Sequence, residues 1–101
     1  MKNKIVLAML LGLAGTAQAV EAADISAGMQ ASKSCVSCHG ANGISANENY
    51  PNLAGQKSAY LEKQMKDFKD KKRVDPIMNS MSASLSDQQI ANIAAYYASL
   101  K

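Results

Sequence analysis

The feature that most constrains this chain is a short motif, Cys35-Val36-Ser37-Cys38-His39. It contains the only two cysteines and the only histidine among 101 residues. A chain of this length has room for one domain, and small domains often need a disulfide, a metal or another bound group to be stable. The side chains of Cys35, Cys38 and His39 are the natural candidates for holding such a group.

Three kinds of site use cysteines at this spacing. A redox-active dithiol is expected in a βαβ context with long β-branched runs, which this chain lacks. A structural zinc site needs four ligands; the motif supplies three, so a carboxylate would have to complete the site. Covalent attachment of a c-type haem uses all three residues. The thiols of Cys35 and Cys38, one helical turn apart, add to the two vinyl groups, and the imidazole of His39 reaches the iron. The motif therefore predicts one covalently attached haem c.

A second axial ligand would have to come from a different segment. With no second histidine, the thioether of a methionine is the ligand expected on the opposite face of the iron. Met29 lies too close to the motif, and Met65 falls within a helical pattern that assigns it to the core. Residues 74–85 show little regular pattern and are expected to form the ligand loop. This segment contains Met78 and Met81, which spacing alone does not separate.

Two considerations favour Met78 over Met81. Pro76 disfavours a helical conformation at Asp75, so the chain can approach the haem along an extended path just before Met78. Met81 lies closer to the last helix, where a flexible thioether side chain suits packing over the haem edge. We therefore expect His39 and Met78 to be the iron ligands, with Met81 as the alternative to Met78.

The N-terminal segment has the order of a Sec signal peptide. Residues 1–4 are basic, residues 5–15 form an apolar run, and small residues follow up to Ala19 and Ala22. A membrane anchor would need about 20 apolar residues, more than this run supplies. We expect cleavage after Ala22, with Ala19 as the alternative. Residues 23–101 would then form the haem domain in the oxidising periplasm, with no membrane span.

The rest of the chain reads as helical. The first predicted helix is capped by Asp24 or Ser26. The last begins with a capping box, in which Ser86 and Gln89 satisfy each other's backbone groups. The predicted helices cover residues up to about 33, residues 57–71 and residues 86–100. Apolar residues recur at helical spacing in the last two, and no strand pattern is present. The domain is therefore expected to be all-α.

Four segments in this order resemble a known family. They are CVSCHG at residues 35–40, YPNLAGQ at 50–56, PIMNSM at 76–81 followed by LSD, and ANIAAYY at 91–97. Together they resemble the class I c-type cytochromes, specifically the small bacterial mono-haem type, over essentially all of residues 23–101. The resemblance implies about three main helices wrapped around one covalently bound haem. One haem motif is present in these 101 residues, so we expect a mono-haem protein rather than the doubled arrangement of the di-haem relatives.

The resemblance also assigns supporting roles. In such proteins the first and last helices cross near one end of the haem, where Gly28 would meet Tyr96. A proline carbonyl usually accepts the Nδ1–H of the ligand histidine, and Pro51 is the candidate for supporting His39. The ligand methionine of the family closely follows a proline and an apolar residue, as Met78 does.

The function implied is electron transfer rather than catalysis. With both axial positions filled, the chain would be a monomeric periplasmic carrier between a quinol-oxidising complex and a terminal oxidase or reductase. One alternative is a haem-bearing subunit of a larger oxidase or dehydrogenase. A gas-binding or peroxidatic haem protein would need a distal acid–base residue, which cannot be a histidine here. The net charge is only +3, with basic and acidic residues interleaved, which argues against a nucleic-acid partner.

Overall fold

The computed structural model describes residues 20–101, and most of the predicted signal peptide, residues 1–19, lies outside the described residues. The described part contains helices and loops and no β-strand. The elements are α1 (Ile25–Ala31), a 3-10 turn (Ser32–Cys35), α2 (Val36–His39), α3 (Ser58–Lys69), α4 (Pro76–Ala83) and α5 (Asp87–Ser99). In this part of the chain, no helix is long and apolar enough to cross a membrane. The predicted all-α class is confirmed.

The helix ends follow from local side-chain chemistry. Asp24 caps α1 by accepting a hydrogen bond from the backbone N–H of Ala27 at 3.0 Å. The predicted capping box of α5 is confirmed: Gln89 N–H donates to Ser86 Oγ at 3.1 Å, and Ser86 N–H donates to Gln89 Oε1 at 2.9 Å. Such caps satisfy backbone groups that have no partner within the helix. Helix α3 ends at Lys69, before the predicted residue 71, because Lys71 adopts a left-handed conformation with φ of 60°.

The prediction of an irregular ligand loop at residues 74–85 is wrong. Pro76 is the first residue of α4, and the carboxylate of Asp75 caps that helix by accepting from the N–H groups of Ile77 and Met78, each at 3.0 Å. Proline is favoured at this first position, where its missing N–H would have had no helical partner. Met78 is therefore carried by a helix rather than by an extended path. The Asp-Pro pair was the overlooked start signal.

The core forms where α5 meets α1 and α3. Leu61 of α3 packs with Ile93, Ala94 and Tyr97 of α5, and all four are nearly inaccessible to solvent. Cys35 packs against this cluster at its edge. Helix α1 crosses α5 so closely that a Cβ on Gly28 would lie 2.9 Å from the Cβ of Tyr96. The close meeting of Gly28 and Tyr96 that the resemblance implies is therefore present.

Candidate haem-binding site

The motif residues lie on one continuous turn. Cys35 ends the 3-10 turn, and Cys38 and His39 follow in α2 without a break. Both thiols are free and half-buried. The chain turns sharply after His39 because Gly40 has φ of 87°, and a side chain there would collide with the backbone carbonyl of Ile44. The arrangement presents two thiols and one imidazole from a short helical segment.

The imidazole of His39 is held by the backbone of a distant loop. Its ring is buried, with 7% exposure, and Nδ1 lies 2.8 Å from the carbonyl oxygen of Pro51. A carbonyl can only accept a hydrogen bond, so Nδ1 carries a proton, and in the neutral imidazole the lone pair is then on Nε2. The loop is closed on itself, because Leu53 and Ala54 both donate to the carbonyl oxygen of Gly43, at 2.8 and 3.0 Å. His39 is thus presented in the tautomer that a metal ligand requires.

The side of the motif near Cys35 is apolar, with one unpartnered hydroxyl. Burial raises the pKa of the Cys35 thiol. Tyr97 is 1% exposed, and burial is also the main reason that its pKa rises to about 12. The hydroxyl of Tyr97 is inaccessible and has no hydrogen-bond partner. Because buried polar groups are nearly always paired, this hydroxyl fits a site that receives a further bound group. No sequence pattern distinguished it from an ordinary core tyrosine.

The methionines differ in their surroundings. Met65 is half-buried against the core cluster, and Met29 is 44% exposed on α1. On α4, Met78 is half-buried, whereas Met81 is 38% exposed. The structure therefore leaves Met65 in a core position and places the two candidate ligands on one short helix.

Two polar residues of helix α4, Asn79 and Ser82, face the rest of the protein. Ser82 is fully buried, and the Asn79 side chain bonds to the end of α3. Ile77 and Met81, four residues apart, lie on one side of the helix and are 53% and 38% exposed, and the half-buried Met78 lies between that side and Ser82. Apolar side chains thus remain partly exposed on a helix whose buried residue is polar. This arrangement suits packing of the exposed apolar side against a flat apolar group.

The donor set fits a covalently bound haem. Two free thiols one turn apart, an imidazole with an available Nε2 and a thioether supply both attachment points and both kinds of axial ligand. Among residues 20–101, no three side chains of His, Cys, Asp or Glu form a group that could hold a metal ion. The zinc alternative therefore finds no completing carboxylate in the described part of the chain.

Comparison with known proteins identifies the family. A family model described as Cytochrome c matches residues 25–101. The chain belongs to the cytochrome c family. It is a class I c-type cytochrome of all-α fold, and covalently bound haem c is the cofactor of that family.

Two relatives illustrate how much of such proteins this cytochrome covers. It is 48% identical over 99 residues to cytochrome c4 of Pseudomonas aeruginosa. The aligned region is 98% of this chain and 49% of the relative. It is 43% identical over 81 residues to cytochrome c-554(548) of Halomonas halodenitrificans. That aligned region is 77% of this chain and 98% of the relative. The cytochrome therefore spans about half of the first relative and nearly all of the second.

A solved structure agrees with the fold. The cytochrome c4 of Acidithiobacillus ferrooxidans superposes with a TM-score of 0.74 at 28% identity, over 82% of this chain and 53% of that one. The described helices are thus arranged as in one half of a cytochrome c4.

Proposed function

We propose that this cytochrome is a mono-haem electron carrier whose iron is ligated by His39 and Met78. The observation that carries the proposal is the hydrogen bond from His39 Nδ1 to the Pro51 carbonyl at 2.8 Å. A buried imidazole fixed in this way is held in one orientation, and its neutral form leaves the Nε2 lone pair available, which suits a permanent ligand. Cys35 and Cys38 are the proposed points of covalent attachment, for one haem.

When bound, the haem supplies reversible one-electron redox chemistry. The residues of the chain supply position and environment. Pro51 orients the ring of His39 and makes it a stronger donor through its carbonyl oxygen. As a ligand, the thioether of Met78 would stabilise reduced iron relative to oxidised iron and so raise the potential. With both axial sites occupied by side chains, no position remains for a substrate, so the proposed role is electron transfer without bond chemistry.

Met78 is preferred over Met81 for a structural reason in addition to the sequence pattern. Met78 is half-buried at the edge of the packed side of α4, and its backbone N–H is held by Asp75 at 3.0 Å. Met81 is more exposed, at 38%, one turn further along. Met78 is thus the better anchored of the two thioethers.

Optical spectroscopy of two methionine variants tests the ligand assignment. The oxidised wild-type holoprotein should show the far-red methionine–iron charge-transfer band. Met78→Ala should remove this band and lower the midpoint potential, whereas Met81→Ala should keep it. Loss of the band only in Met81→Ala would exchange the two roles. Prompt binding of CO to the reduced wild-type protein would instead support the gas-binding alternative.

The proposed setting is the periplasm, reached through the N-terminal signal peptide, where the cytochrome would act as a monomer. The proposed donor is a quinol-oxidising complex, and the proposed acceptor is a terminal oxidase or reductase. Support comes from the family match and from the similarity to cytochrome c-554(548) over nearly all of that relative. Fractionation and sizing of the native protein test this setting. A monomer in the periplasmic fraction supports a free carrier, and co-purification with a membrane oxidase or dehydrogenase supports the subunit alternative.

A further inference from the structure

We propose that Asn79 is a positioning residue for the axial ligand Met78, which it holds in place by tying the start of α4 to the end of α3. This inference rests on the proposed ligation by Met78. Asn79 follows Met78 directly in the chain, so any movement of its backbone is shared with the ligand. It is not itself a ligand, because its side chain is fully engaged with the protein backbone.

Asn79 joins three separate backbone segments. Its Nδ2 donates to the carbonyl oxygen of Phe68 at 2.7 Å and to that of Arg73 at 2.9 Å. Its Oδ1 accepts from the backbone N–H of Asp75 at 2.9 Å. One side chain thereby connects the last turn of α3, the following loop and the residue that caps α4. Both amide protons and the amide oxygen are used, so the geometry of all three segments is coupled at this point.

Polar contacts matter here because no large apolar side chain of α4 is fully buried. The helix has eight residues, and the fully buried side chain in it is the small and polar Ser82. Ile77 and Met81 are 53% and 38% exposed, so neither is fully buried against the protein. A helix this short is not stable from backbone bonds alone and depends on its tertiary contacts. The Asn79 hydrogen bonds therefore act together with the Asp75 cap to position the first turn of α4.

Neighbouring contacts support the loop and the far end of the segment. Arg73 donates to Gln64 Oε1 at 2.7 Å, and its guanidinium lies 4.6 Å from the centre of the Phe68 ring. Lys69 Nζ donates to the carbonyl oxygen of Leu85, beyond the end of α4. Of these contacts, those of Asn79 act closest to Met78. Losing them should free the first turn of α4 while the rest of the fold remains in place.

A looser first turn should shorten the lifetime of the methionine–iron bond. An external ligand such as imidazole can enter the oxidised protein only while the methionine is dissociated, so its binding reports how often Met78 leaves. Local opening of this kind is governed by local contacts rather than by global stability. Losing the net contribution of one or two hydrogen bonds should make local opening of the first turn of α4 about tenfold more frequent.

The test compares imidazole binding in two Asn79 variants with a control that loses a stabilising contact elsewhere. Asn79→Ala removes all three hydrogen bonds, and Asn79→Asp keeps the acceptor for Asp75 but loses both donors. Ser86→Ala is the control, because it removes the N-cap of α5 and leaves α4 untouched. Each holoprotein is assayed for thermal midpoint, for the far-red band and for the rate and affinity of imidazole binding.

We expect both Asn79 variants to bind imidazole about tenfold faster or more tightly than wild type, with a weakened far-red band. Ser86→Ala should lower the thermal midpoint while its imidazole binding stays near that of wild type. The positioning role is overturned if the Asn79 variants bind imidazole no faster than Ser86→Ala. The ligand assignment fails separately, and the inference with it, if Met78→Ala retains the far-red band.

Discussion

A Cβ atom added to Gly28 would lie 2.0 Å from the carbonyl oxygen of Asn92. The backbones of α1 and α5 are thus in direct contact, and no side chain fits between them. The same crossing is tied by the backbone N–H of Asp24, which donates to the Asn92 side chain at 2.9 Å. The crossing places α5 against the segment that continues from α1 into the cysteine motif.

Gly28→Ala should therefore destabilise the protein. The added methyl group must push α1 away from α5, and overpacking of this kind costs about 1–3 kcal/mol or more. Denaturant unfolding of the holoprotein should show a lower midpoint. Ser26→Ala, an exposed position on the same helix, is the control and should leave the midpoint nearly unchanged. A Gly28→Ala midpoint equal to that of wild type would mean that the two helices can separate without cost.

Removing one attachment cysteine should weaken the fold as well as the retention of haem. Cys38→Ala leaves one thiol for covalent attachment, and a domain this small depends on its bound group for stability. We expect less haem to survive denaturing electrophoresis and a lower thermal midpoint, with Ser37→Ala as the adjacent control. If the haem-free chain unfolds cooperatively with native helix content, the bound group is not what stabilises the domain.

Tyr97 should make the protein less stable at alkaline pH. Burial raises the pKa of Tyr97 from 10.0 to about 12, so the folded protein keeps its phenol protonated where the unfolded chain has already lost the proton. The folded state then binds more protons, and the free energy of unfolding falls as the pH rises from about 10 to about 12. Tyr97→Phe should show a flatter decline in denaturant unfolding over this range, with Tyr96→Phe as the control. Parallel curves for wild type and Tyr97→Phe would contradict the prediction.

The N-terminal contacts favour a different cleavage position from the one expected from sequence. The backbone N–H of Glu21 donates to Gln88 Oε1 at 2.7 Å, and Gln88 Nε2 donates back to the Glu21 carbonyl at 3.3 Å. Cleavage after Ala22 would remove both contacts, whereas cleavage after Ala19 keeps them. We therefore expect the mature chain to begin at Val20.

Intact mass of the exported protein decides between the two positions. A mature chain beginning at Ala23 would contradict the prediction. Gln88→Ala provides a further check, because it should destabilise a chain of residues 20–101 but have less effect on residues 23–101, which lack Glu21.

Much of the site could be predicted because its signals are local. The spacing of Cys35, Cys38 and His39 within one turn indicates the kind of bound group without any knowledge of the fold. The pairing of Ser86 with Gln89 marks the start of α5 for the same reason, since the two residues are three apart. The Asp75-Pro76 pair was a local signal of the same kind for α4, and there the interpretation of the proline as a loop residue was wrong.

The sequence by itself determined the all-α class, the haem motif and the methionines available as a second ligand. Only the tertiary structure decided which groups meet across the chain. Asn79 bonds to Phe68 eleven residues earlier, and the His39 ring bonds to the carbonyl of Pro51 at a separation of 12 residues, a contact that the family resemblance implied but the pattern of residues did not. A carbonyl or amide can bond to any suitable group that folding brings near. Such contacts depend on the path of the backbone rather than on residue type, so no local pattern in the sequence encodes them.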